Sequence, residues 1–213
     1  MLTKQRADRV LLHNISWQQF ENILVELGET RGSRVAYCDG TLEITAPLAE
    51  NEYYKEVISE AIQEYAYTAQ IDYESLGSTT WRKQLKMAGL EPDNCFYFQN
   101  EPLIRGQLEY DLSQDPPPDL ALEIDLTSKS LGRFPIYTRL GVPEIWSYED
   151  GKITIYLLEN NKYQLSEKSL ALSQISVDEM MKLIEENRPL GRRAIRKAVR
   201  NWAKNFDGNS VLF

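Results

Sequence analysis

Three features of this 213-residue sequence predict a mixed α/β fold, a central sheet flanked by helices. Two Asp-Gly dipeptides, Asp39-Gly40 and Asp150-Gly151, each stand between β-rich runs, the strongest short-range sign of a hairpin. Residues 50–69 carry the clearest helical pattern, with Tyr54, Val57, Ile58, Ala61, Ile62 and Tyr65 as its apolar stripe. From Asp119 to Leu126 the chain alternates strictly. Leu120, Leu122, Ile124 and Leu126 fall on one side and Asp119, Ala121, Glu123 and Asp125 on the other, as in an extended strand.

In chain order, residues 16–27 form a helix, with Ser16 as N-cap, Trp17, Phe20, Ile23, Leu24 and Leu27 at three-and-four spacing, and Gly28 as terminator. Arg34 to Cys38 and Thr41 to Thr45 are the strands of the first hairpin, and Pro47 ends the second of them. After the long helix, Ile71 to Leu76 reads as a strand and Gly77-Ser78 as a turn; residues 80–87 fit no single pattern. Glu91-Pro92-Asp93 opens an aromatic-rich strand, Asn94 to Gln99, and residues 100–115 read as a loop or minor hairpin. The alternating strand follows. A short helix over 130–140 contains Pro135, which places that proline in the first turn, and Gly141 and Pro143 stop it. Glu144 to Tyr148 and Lys152 to Leu158 form the second hairpin, with a further short strand over Lys162 to Leu165. Ser176 caps a helix to about Glu186, and a basic helix occupies about 188–205. Internal repeats are absent, and the length suits one domain spanning 1–213.

A hydrophobic fraction of 42% and a charged fraction of 26% are those of an ordinary globular protein, and no apolar run approaches a membrane span. The N-terminus lacks the apolar stretch of a signal peptide. Cys38 and Cys95 lack metal-ligand spacing and read as reduced thiols, the pattern of a cytoplasmic protein; the lone His13 sits in a polar segment. The net charge of −8 is unevenly spread. Seven of the 24 basic residues lie between Arg188 and Lys204 with no acid among them, so the other 17 face all 32 acids, a charge of −15. Nucleic-acid binding leaves a basic footprint, and only this tail has one. A solvated helix packed against an acidic body is the preferred account of it.

Three acids on one strand face repel each other and would lose hydration if covered, a cost that a cation or proton relieves. Mg²⁺ prefers oxygen and is commonly held by one or two carboxylates plus waters. Glu123 and Asp125 supply one side of such a site, and Asp93, fixed after proline at the start of a strand, is the best candidate for the other. Asp93 equally suits local hydrogen bonding in a Pro-Asp turn.

The pairing of Pro92-Asp93 with Pro118-Asp119-Leu120-Ala121-Leu122-Glu123, the helix after it and Gly141-Val142-Pro143-Glu144-Ile145-Trp146 resembles the "putative restriction endonuclease" family Uma. That family, formerly a domain of unknown function, belongs to the PD-(D/E)XK nuclease superfamily. The resemblance runs from the first hairpin to the strand after Asp150-Gly151. It implies a restriction-endonuclease-like core, a central mixed sheet with helices on either side. It also implies Asp93 and Glu123 as ligands of Mg²⁺ or Mn²⁺, and DNA as substrate. The superfamily usually has lysine two residues after the glutamate, where this chain has Asp125; some members place it on the following helix, where Arg133 stands, with Lys129 one turn earlier. A histidine that often opens the long helix is replaced by Asn51. Superfamily members often add an acid from this helix, making Glu60 and Glu56 further candidate ligands.

Lysine near the metal can lose a proton or stabilise hydroxide. Arginine cannot act as a base, though it can hold developing negative charge. Asp125 is either an added ligand or a charge that repels phosphate. The expected function is metal-dependent hydrolysis of DNA by a cytoplasmic homodimer. The alternative is a nuclease-fold module that binds protein or nucleic acid without cutting.

Overall fold

A computed structural model describes residues 8–28, 32–126 and 130–206. Its described residues form two sheets and six helices, the mixed α/β class expected. The first sheet is antiparallel, built from β1 (Arg9–Leu12), β2 (Arg34–Cys38), β3 (Thr41–Thr45), β5 (Trp81–Lys83) and β6 (Ala88–Leu90) in the order β1-β3-β2-β6-β5. The second is mixed. It contains β4 (Glu74–Ser75), β7 (Asn94–Tyr97), β8 (Leu120–Ile124), β9 (Glu144–Glu149), β10 (Lys152–Glu159) and β11 (Lys162–Ser166), in the order β11-β10-β9-β8-β7-β4. β8 and β9 are its parallel pair, and α4 (Arg133–Leu140) makes the crossover that parallel pairing requires.

The layers follow from where the apolar stripes go. On one face of the mixed sheet, α2 (Ala49–Thr68), α5 (Val177–Asn187) and α6 (Arg192–Ala203) bury Val57, Ile58, Ile62, Met180 and Val199 against Leu120, Leu122 and Ile124. On the other face, α4 buries Ile136, Tyr137 and Leu140 with Ala121, Cys95 and Ile145, and Ala36 and Leu90 of the first sheet close this core. α1 (Trp17–Leu27) covers the far side of the first sheet, packing Phe20 and Leu24 on Val35, Tyr37 and Leu42. Ser16 caps α1 in a capping box with Gln19, as Ser16 predicts.

β8 departs from expectation in one respect. All five of its residues are buried, because α2 covers one face and α4 the other. The carboxylate face read from alternation is therefore an interior face. The segment expected as a strand over 71–76 narrows to β4, and 100–115 holds the one-turn helix α3 (Glu101–Ile104) rather than a hairpin. Cys38 and Cys95 are free, and burial pushes the Cys95 thiol up to about 12. Among the described residues no helix is long and apolar enough to cross a membrane.

Candidate active site

β7 and β8 pair so that Asn94 faces Leu122 and Cys95 faces Ala121. Continued by one residue, this register sets Asp93 opposite Glu123 on one face, the closest relation two strands offer to a pair of side chains. Asp93 lies just before β7, and its Oδ2 accepts a 2.7 Å hydrogen bond from the Ile124 amide, which ties it to β8 beyond the last ladder pair. Glu123 is fully buried, and its Oε1 accepts a 2.5 Å hydrogen bond from the Tyr137 hydroxyl of α4. Burial raises the Tyr137 hydroxyl well above its ordinary value; the charge of Glu123, their hydrogen bond and Asp93 raise it further, and Arg133 opposes them. These four groups therefore share one electrostatic environment.

Arg133 opens α4, one helical turn before Tyr137, so both side chains leave the same face of the helix. It is buried at 3% exposure. Its Nη2 donates to Glu43 Oε1 at 2.7 Å, and Glu43 Oε2 accepts from the Leu131 amide at 2.9 Å. Glu43, on β3 and fully buried, thus clamps both the guanidinium and the segment leading into α4. The Arg133 Nε and Nη1 atoms are buried with no hydrogen-bond partner among the described residues. Leaving donors of a charged group unpaired in the interior costs on the order of 1–3 kcal/mol or more. Donors of this kind stabilise an oxyanion that reaches them.

The other sequence-predicted residues are dispersed. Asp125 does not continue the strand: β8 ends at Ile124, and Asp125 has φ 56°, the left-handed region. The expected alternation fails there, and Asp125 lines a cavity of about 140 Å³ on the α2 side with Asn51, Tyr54, Tyr148 and Asp150. Asp119 is structural, since its Oδ2 accepts from the amides of Phe98 (2.7 Å) and Asn100 (2.9 Å). Glu60 pairs with Arg192 at 2.8 Å and Glu56 with Lys55 at 3.2 Å, both on α2, across the mixed sheet from Tyr137. Lys129 lies outside the described residues.

Two site residues escaped the sequence reading. Tyr137 stands four residues after Arg133, a spacing that predicts a shared helix face but that its apolar neighbours disguise. Glu43 lies between Leu42 and Ile44 in a strand whose alternation puts it on a polar face, so nothing local marks it as buried.

Asp93 and Glu123 offer hard oxygen donors suited to Mg²⁺ or Mn²⁺, although among the described residues no group of three His, Cys, Asp or Glu side chains is placed to hold a metal. An ion there would be held by one or two carboxylates and complete its shell with water.

A mixed sheet between helical layers, with a parallel crossover between adjacent strands, is consistent with a restriction-endonuclease-like fold. The sequence matches the family model "Uma2: Putative restriction endonuclease" over residues 17–186. The chain belongs to that family. Comparison with curated proteins gives no match.

Proposed function

We propose that the protein is a metal-dependent endonuclease that hydrolyses DNA phosphodiester bonds, with residues 1–213 acting as one nuclease-like domain. What supports this most is the β7–β8 register, which continued by one residue sets Asp93 opposite Glu123, together with a buried Arg133 that has two donors to spare. In this reading Asp93 and Glu123 hold the ion. When bound, Mg²⁺ or Mn²⁺ polarises a phosphoryl oxygen and acidifies a water for attack. Tyr137 fixes the orientation of Glu123 through its hydroxyl. Arg133, held by Glu43, donates Nε–H and Nη1–H to phosphate oxygens as negative charge develops; it stays protonated and cannot serve as the base. Lys129 is the remaining nitrogen candidate for taking the water's proton.

The test is cleavage of duplex DNA with Mg²⁺ or Mn²⁺ by the wild type, Asp93→Asn and Glu123→Gln. Metal-stimulated cleavage is expected in the wild type and abolished in both variants. Equal activity in all three rejects the assignment. The want of a third acid beside the pair, among the described residues, favours a second reading, a nuclease-fold binding module that does not cut. Calorimetry with Mn²⁺ separates the two: heat that disappears in Glu123→Gln belongs to the enzyme, and no heat in the wild type belongs to the module.

A further inference from the structure

α6 carries two rows of cations. Arg192, Arg196 and Arg200 recur every four residues, and each meets an acid of α2: Arg192 with Glu60 (2.8 Å), Arg196 with Glu64 (3.0 Å) and Arg200 with Glu64 (2.6 Å). This inner row accounts for how a basic helix packs on an acidic one. Arg193 and Lys197, with Lys204 just past the end of α6, form a second row, with Arg200 at its edge. All are exposed, and Arg193, Lys197 and Lys204 make no ion pair with any described acid. Like charges four apart on a helix are destabilising by a few tenths of a kcal/mol per pair. Packing on α2 offsets that repulsion for the inner row only, so docking the helix does not explain the outer one.

The two rows border an open groove of about 660 Å³. Aromatic rings link the groove to the cavity at Asp125, on the α2 side of the mixed sheet. The Arg192 guanidinium lies 5.6 Å from the Tyr53 ring centroid; the next residue, Tyr54, stacks on Tyr148 and lines the cavity at Asp125, two residues beyond Glu123. Outside residues 188–204 the chain carries a charge of −15, so the rest of the molecule repels a polyanion.

We propose that the outer face of α6 is the docking surface for the phosphate backbone of duplex DNA, holding it by charge and without reading bases. The proposal rests on the endonuclease reading for the choice of polyanion. Its test measures binding alone: fluorescence anisotropy of a labelled DNA duplex in EDTA over a series of KCl concentrations. The protein tested carries R193Q/K197Q/K204Q, which leaves every α2–α6 ion pair in place. The control is K162Q/K168Q/K182Q, which removes the same charge from other exposed positions.

The outer-row variant is expected to bind at least about 10-fold more weakly, with the slope of log K against log[salt] reduced by about 2–3, near 0.9 for each phosphate no longer neutralised. The control is expected to bind within about 3-fold of the wild type. Equal weakening in both variants overturns the proposal, as does a wild type that does not bind DNA. Binding to phosphatidylserine vesicles but not to DNA, abolished in the outer-row variant, also overturns it and assigns the surface to a membrane. A wild type that binds DNA through this row but never cuts supports the surface while rejecting the endonuclease reading. Cleavage that survives the outer-row variant with unchanged affinity does the reverse.

Discussion

A carboxylate removed from water is stable only where hydrogen-bond donors replace its hydration, and Glu144 is surrounded by them. It is fully buried; Oε1 accepts from Trp146 Nε1 at 2.5 Å and Oε2 from the amides of Leu170 and Ala171, each at 2.7 Å. The Gly-Val-Pro-Glu-Ile-Trp segment therefore works as a latch that pins the chain before α5 onto β9, and its glutamate has an architectural role. Burial raises the Glu144 pKa above its ordinary value of 4.5 despite these donors. The folded state therefore binds the proton more tightly than the unfolded one between the two values. The linked stability is full below the unfolded pKa and declines as pH rises through the folded pKa. Glu144→Gln keeps the shape but cannot accept from all the same donors, so it should cost about 1–3 kcal/mol and remove this pH dependence. Urea unfolding of both proteins across the range above pH 4.5 checks both effects.

At the scale of elements, legibility followed length and periodicity. α2, both Asp-Gly hairpins and α5 lie within a residue or two of their expected bounds, because each repeats its pattern over enough residues to stand out. β1, β5 and β6 were not read, being three or four residues long and stabilised by partners distant in sequence. β6 even contains Gly89, which strand propensity disfavours. The structure supplies the reason: a Cβ on Gly89 would stand 3.1 Å from Arg82 Cβ and 3.2 Å from Cε1 and Cζ of Phe20. Phe20 is the innermost residue of α1, so the glycine sets how closely that helix approaches the sheet. Gly89→Ala should destabilise the protein by about 1–3 kcal/mol, as overpacking does. Thermal unfolding measures it, and a second substitution, Phe20→Leu, should return part of the loss.

Across the whole molecule, one buried acid holds two arginines of α6. Glu64 of α2, buried at 3% exposure, accepts from both Arg196 and Arg200. Burial acts to raise its pKa, but the hydrogen bonds and charges of Arg200 and Arg196 outweigh it, and the pKa falls below 4.5. With the folded value depressed, the stabilisation is present above the unfolded value and disappears as pH falls through the folded one. α6 should therefore loosen in acid before the sheets do. Hydrogen exchange is expected to show faster exchange over 192–203 on acidification, and Glu64→Gln should show it already at neutral pH. The candidate site was legible to the same degree as these long-range ties. Asp93 and Glu123 are announced by strand and proline, whereas the Glu43–Arg133 ion pair joins residues 90 apart and exists only once the two sheets meet.

The left-handed backbone at Asp125 has a consequence for finding other proteins of this build. A search template that demands a cation two residues after the strand glutamate inspects a position that the chain has already turned aside. In the proposed site the cation, Arg133, comes ten residues after Glu123, with Tyr137 four further on and Glu43 on a hairpin far upstream. Sequences that carry this spaced set, and not the contiguous triplet, would pass such a filter unnoticed. They would be recovered by a template written on the helix and hairpin as well as the strand.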